Sequence, residues 1–135
     1  MDPFTVTTGC IGLLAGVAQL SVQIATFVSS VKHARRDMDA VLRELASLSL
    51  CLGMLRDNSR NITYPDGFRD NLMNVLENCN SVTNEMEAML LKLSSTNLGR
   101  RLQWTFKEKG EMDRLRSSLE SHKSALEIAL DMTSL

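Results

Sequence analysis

The side chains able to do chemistry are few and scattered. His33 follows Lys32 and precedes Arg35 and Arg36, a setting that suits a solvated or helix-capping imidazole. His122 falls in an apolar row with Met112, Leu115, Leu119, Leu126 and Ala129, where a histidine packs as a core or boundary residue. Neither has a nucleophile at a recognisable spacing. Cys10, Cys51 and Cys79 each sit inside an apolar helical pattern. An odd number of widely spaced cysteines reads as reduced, buried thiols of a cytosolic chain, and no cysteine–histidine cluster has metal-ligand spacing. Gly9, Gly12 and Gly16 do not lead into the Gly-Lys-Ser/Thr of a phosphate loop. Glu77, Glu85 and Glu87 lack the Glu-x-x-His pattern of di-iron bundles. The eight methionines stand at helical positions and read as core filler. No catalytic residue, metal ligand or cofactor is assigned, and the chain is expected not to be an enzyme.

With little chemistry to position, the elements themselves carry the information. Pro3 to Val31 contains no charged side chain. About 20 apolar residues suffice to span a bilayer, yet this stretch resolves into distinct helical faces. Val6, Cys10, Leu13, Val17, Leu20, Ile24, Phe27 and Val31 alternate at steps of four and three, the seam of a helical bundle. Gly9, Gly12, Gly16, Gln19, Gln23, Thr26 and Ser30 form a small or polar face, and Ile11, Leu14, Ala18, Val22 and Ala25 fill the space between. Two readings follow. The helix is the buried element of a soluble bundle, or it is buried at rest and released to membrane on activation. A permanent anchor fits poorly, because the glycines and glutamines weaken both helix and insertion. Gly12 and Gly16 form a G-x-x-x-G pair that in lipid permits close helix contact.

The chain of 135 residues is long enough for one domain with a core, and 1–135 is read as a single domain. A net charge of −1 gives no global field calling for nucleic acid, and the 4% aromatic content disfavours a β-sandwich. The N-terminus lacks the basic segment of a secretory signal, since Lys32 is the first cation.

Four helices are predicted, over about Thr5–Val31, Asp37–Arg56, Asp66–Leu93 and Glu111–Met132. Met38, Val41, Leu45, Leu48, Leu52 and Leu55 line the second, whose stretch from Leu48 to Leu55 is apolar almost all round and is expected to be deeply buried. Asn58 to Asp66 is the clearest loop, with Pro65 and Asp66 suited to a first helical turn. The third helix carries Phe68, Leu72, Val75, Cys79, Val82, Met86, Met89 and Leu93, and Ser94 to Asn97 breaks the pattern. Leu98, Leu102, Trp104 and Phe106 leave room for a short extra helix before the last, with Gly110 as a kink or break. The expected fold is all-α, an antiparallel four-helix bundle. The third helix is acidic and the region from Leu98 to Lys123 basic, which suits mutual attraction of packed helices or, for Arg100, Arg101, Lys107 and Lys109, contact with anionic lipid headgroups.

The opening Met1-Asp2-Pro3-Phe4, running into an uncharged Gly/Ala/Val/Leu helix, resembles the start of fungal HeLo-like domains, found at the N-termini of fungal STAND (NOD-like) receptors and related cell-death proteins. The run from Leu102 to Lys109, with Leu115, Leu119, Glu120, His122, Lys123 and Leu126 to Leu130, is similar to that family's closing helix, and Asp37 to Leu55 is similar to its second. The resemblance implies a bundle related to the executioner domain of mixed lineage kinase domain-like protein. It implies a cell-death role in which copies oligomerise under control of a C-terminal or in-trans regulatory region. The N-terminal helix then leaves the cytoplasm and permeabilises the plasma membrane. By position that role maps onto Cys10, Ile11, Leu13, Leu14, Val17, Leu20, Ile24 and Phe27. The alternative is a non-lytic signalling or oligomerisation module at the N-terminus of such a receptor.

Overall fold

The computed structural model describes residues 4–31, 34–95 and 106–133, and it folds as an all-α bundle of four long helices. These are α1 (Phe4–Ser30), α2 (Arg35–Ser59), α3 (Asp66–Ser95) and α4 (Phe106–Thr133). The residues expected at the joints do the joining. Ala34 precedes α2, and its carbonyl accepts the Met38 N–H at 2.9 Å. Pro65 precedes α3 and accepts from Arg69 N–H at 2.8 Å. Asp66 adds a negative charge at the positive end of α3, held by Arg69 Nη2 at 2.9 Å. Between α2 and α3 the Tyr64 side chain is buried, its ring centroid 5.4 Å from that of Phe68.

Each helix occupies a corner of a square. α1 packs on α2 and α3, and α4 closes the square against the same two. The chain direction alternates, but the α2–α3 link crosses the diagonal. Neighbours therefore differ in sense. α1 and α2 run antiparallel, with Thr7 beside Ser59. α2 and α4 run parallel, since Glu44 pairs with Lys123 and Asn58 with Thr133.

The predicted seams of α1 and α2 are buried at every position named for them: Val6 to Val31 on the first, Met38 to Leu55 on the second. On α3 the buried set is wider. Leu76 and Leu90 join Leu72, Cys79, Val82 and Met86, whereas Phe68, Val75, Met89 and Leu93 are half-buried. The α4 core is Met112, Leu115, Leu119, Leu126, Ala129 and Leu130, with His122 half-buried at its edge.

Two expectations need correction. The stretch Leu48–Leu55 is not buried all round, because Leu50 is 70% and Met54 54% exposed. A corner helix has an outer side, whatever residues stand on it. Gly110 does not break α4, which runs through it from Phe106. α3 and α4 pack on each other and carry an exposed cross-helix pair, Arg114–Glu85 at 3.4 Å. The better-shielded ion pair joins α4 to α2, Lys123 Nζ to Glu44 Oε2 at 2.8 Å, with Lys123 also donating to Ser47 Oγ. The stretch at 96–105, where a short extra helix was expected, lies outside the described residues, as does His33.

The split within α2 has a measurable consequence. Leu52→Ala removes a fully buried side chain and is expected to cost about 2–5 kcal/mol in urea denaturation. Leu50→Ala, two residues away, is expected to cost less than about 0.5 kcal/mol.

Candidate functional site on the first helix

The residue types of α1 give it three surfaces. Cys10, Leu13, Val17, Leu20, Ile24 and Phe27 face the core and are each at most 4% exposed. Leu14 is half-buried at the edge of the core. Ile11 is not in the core, at 48% exposed. The predicted insertion set thus divides into six stored residues, one boundary residue and one already facing outward. Opposite the core, Thr8, Ile11, Ala15, Ala18, Val22, Ala25 and Ser29 are all exposed, and none is charged. Along Val6–Ser29 the helix is long and apolar enough to cross a membrane, with only 28% of its most apolar window buried.

The glycines of α1 play different parts. Gly9 is the one in close approach, where a Cβ would come 3.3 Å from Leu76 Cδ1 and 3.6 Å from Met73 Cε. A Cβ at Gly12 or Gly16 would meet nothing within 4 Å. The bundle therefore does not require Gly12 or Gly16, although each lowers helix propensity by about 1 kcal/mol relative to alanine.

Polar groups on α1 are handled locally. Ser21 Oγ donates to the Val17 carbonyl at 2.9 Å, Thr26 Oγ1 to Val22 at 3.1 Å and Ser29 Oγ to Thr26 at 2.6 Å. These bonds travel with the helix, so these three hydroxyls keep their partners in any surroundings. Gln23 Oε1 is shielded and has no partner among the described residues, a loss of about 1–3 kcal/mol against a satisfied group. A polar link ties α1 to α2: the buried hydroxyls of Thr7 and Ser59 are hydrogen-bonded, and Ser59 Oγ also lies 2.9 Å from the Arg56 carbonyl.

Of the predicted headgroup-contacting cations, Arg100 and Arg101 lie outside the described residues. Lys107 is exposed in the first turn of α4, and Lys109 Nζ lies 3.8 Å from Asp37 Oδ1 of α2. That pair brings the start of α4 to the start of α2, the pole at which α1 ends. Arg35 and Arg36 occupy the first turn of α2 and are exposed at this same pole.

The groups with latent reactivity are held away from it. Burial pushes the Cys10 and Cys79 thiols up to about 12 and Cys51 to about 11, so all three are protonated near neutrality. His122 Nε2 stands 3.4 Å from Ser118 Oγ one turn away on α4. No group of three or more His, Cys, Asp or Glu able to hold a metal occurs among the described residues. What the arrangement offers is an uncharged, partly exposed helix at one corner of the bundle.

A family model described as pigment biosynthesis cluster protein PigL N-terminal matches residues 1–135. No curated protein and no solved structure matches the chain.

Proposed function

We propose that this chain, which belongs to the fungal family of pigment biosynthesis cluster protein PigL N-terminal domains, is a HeLo-like cell-death effector domain that permeabilises membrane through α1. At rest it is cytoplasmic, with α1 stored in the bundle. On activation, copies brought together by a regulatory region release α1 into the plasma membrane.

The observation that carries this reading is the outer face of α1. A helix that only completes a soluble core gains nothing from an uncharged exposed side, since polar residues there keep a surface helix in water. α1 has no charge on either side. A membrane shifts the equilibrium only by what it offers beyond the bundle. The core row is buried in both places, each large side chain contributing about 1.5–3 kcal/mol either way. Ile11, Ala15, Ala18, Val22 and Ala25 are exposed to water in the bundle and would be buried only in lipid. They supply the difference. Lys107, Lys109, Arg35 and Arg36 stand at the pole where α1 ends, each able to add about 1 kcal/mol against an anionic leaflet. The span Val6–Ser29 covers about 36 Å at 1.5 Å per residue, enough for a hydrocarbon core of about 30 Å with some tilt.

The test is to lock the helix in place. The Thr7 and Ser59 hydroxyls are in hydrogen-bond contact, so Thr7→Cys with Ser59→Cys brings two thiols within reach of each other across α1 and α2. Protein clustered through a C-terminal tag is added to dye-loaded vesicles containing phosphatidylserine. Leakage is expected from the reduced double variant, to stop on oxidation and to return with reductant. Leakage that survives oxidation, or that never occurs with unaltered protein, defeats the proposal.

A further inference from the structure

We propose that the joint between α1 and α2 is a hinge that straightens, so that α1 swings off the bundle as a continuous extension of α2. This rests on the reading that α1 leaves the core, and it adds the route. The chain turns back between Ser30 and Arg35, yet no residue there is a helix stop. Val31-Lys32-His33-Ala34-Arg35-Arg36 holds no glycine, proline, asparagine or aspartate. The other two joints do hold such residues, Asn61 and Pro65 in one, Asn97 and Gly99 in the other.

Helical bonding reaches the joint from both sides. The Val31 N–H donates to the Phe27 carbonyl at 3.1 Å, and the Ala34 carbonyl accepts from Met38 N–H at 2.9 Å. Ala34 is the N-cap of α2, a position that ordinarily takes extended backbone and an oxygen-bearing side chain. Here φ is −87° and ψ −18°, already helical, and no side chain caps the first turn. Lys32 and His33 lie outside the described residues. Fusing the helices therefore asks for new dihedral angles only between Ser30 and Ala34. Lys32, Ala34, Arg35 and Arg36 are all good helix formers.

Burial holds the bend shut. Val31 and Ala34 are 4% and 0% exposed, and the core row of α1 is buried with them. In the straight form Lys32 would also stand one turn from Arg35 and Arg36, a like-charge cluster that disfavours a helix in water. The bent form wins at rest for both reasons. An anionic surface relieves the repulsion. The direction of the swing suits such a surface. α2 starts at the pole where Arg35, Arg36 and Lys107 are exposed, so an α1 that continues its axis projects from that pole. Residues 4–59 would then form one helix of about 84 Å, at 1.5 Å per residue. Its cations would stand at the foot of its uncharged part.

The test reads maleimide labelling of the native thiols without lipid, with peptide mass spectrometry to tell them apart. Cys10 is buried on α1, and Cys51 is buried on α2 in the field of Lys123 and Glu127 of α4. Cys10 is expected to react at least ~10-fold faster than Cys51, because α1 swings out while α2 and α4 stay together. Arg35→Pro fills the first helical position of α2, which proline favours, but it would lie inside the straight helix and break it. It is expected to slow Cys10 at least ~10-fold against Arg35→Ala, toward the rate of Cys51, with little change in urea midpoint. Lys32→Gly with His33→Gly is expected to slow Cys10 by about fivefold, and it decides the matter if the proline disturbs the bundle. Cys10 and Cys51 reacting in step in the parent would mean that α1 leaves only by global unfolding, which overturns the proposal. Cys10 labelling that neither proline nor glycine slows would mean a slack tether, which overturns it too. Dye release from the same variants keeps the two readings apart. A parent that never leaks defeats the membrane reading and leaves a proline-sensitive swing standing, and leakage with insensitive labelling does the reverse.

Discussion

Gly16→Arg is expected to abolish vesicle leakage and to leave the bundle at least as stable as before. The two effects separate because Gly16 is placed differently in the two states. In the bundle a Cβ added there meets nothing within 4 Å, and replacing a helical glycine by arginine gains about 0.5–1 kcal/mol of helix propensity. In a spanning α1 the same position lies near the middle of Val6–Ser29, where an arginine costs roughly 2.5–3.5 kcal/mol. That is about a hundredfold in the inserted population. Leu20→Arg acts on the other face. Leu20 is fully buried, so a charge there has no partner in the core, and loss of leakage would report only an unfolded protein. Gly16→Ala completes the set. It gains stability without adding charge and is expected to remain lytic unless copies of α1 meet through Gly12 and Gly16 in lipid. Urea midpoints together with dye release decide the matter. A stable Gly16→Arg that leaks like the parent would mean that α1 does not cross the bilayer.

Above pH 9 the bundle is expected to lose stability steeply and to unfold near pH 10–11. Folding raises the Cys10 and Cys79 thiols from 9.0 to about 12 and Cys51 from 9.0 to about 11, in each case chiefly because burial penalises the thiolate. The native state therefore keeps its protons while the unfolded chain gives them up. Stability is intact below pH 9 and falls as pH rises toward the folded values. Each thiol contributes a loss of about 1.4 kcal/mol per pH unit, so three give about 4 kcal/mol per unit, against a total of about 5–15 kcal/mol for an ordinary domain. Lys123, raised by its hydrogen bond to Glu44, works in the same sense at higher pH. Urea denaturation at pH 8, 9, 10 and 11 measures the slope. Stability that stays level across this range would show that the thiols are not shielded as described, and replacing all three by alanine should flatten the curve.

The legible part of this fold was the part written in side-chain period. On α1 and α2 every residue of the predicted seam is buried, because an alternation of three and four keeps one stripe facing a core. On α3 a single stripe was too narrow. A straight helix drifts against a seven-residue repeat, and a corner helix touches two neighbours, so Leu76 and Leu90 go inside while Phe68 and Leu93 sit at the edge. The exposure of Leu50 and Met54 was illegible for a related reason. An apolar residue does not announce whether a neighbour stands beyond it, and period names a face, not its partner. The diagonal path from α2 to α3 and the Thr7–Ser59 and Glu44–Lys123 contacts depend on which helices are adjacent, and nothing local encodes that. At the candidate site the lack of charge on α1 was plain from the residues. That its outer row is solvent-facing and evenly spaced emerged only once the core side was known.

The corner position of α1 governs what would be left behind if it departed. Only its interfaces with α2 and α3 would break, while α4 continues to bridge both. The remnant would be a three-helix cradle with core residues of α2 and α3 uncovered. Departure would thus create two adhesive bodies at once, a loose hydrophobic rod and an empty mould shaped to it. A mould would accept any matching rod, including one lent by a neighbouring molecule, so helix release would give an assembly of such domains a means of propagating from molecule to molecule.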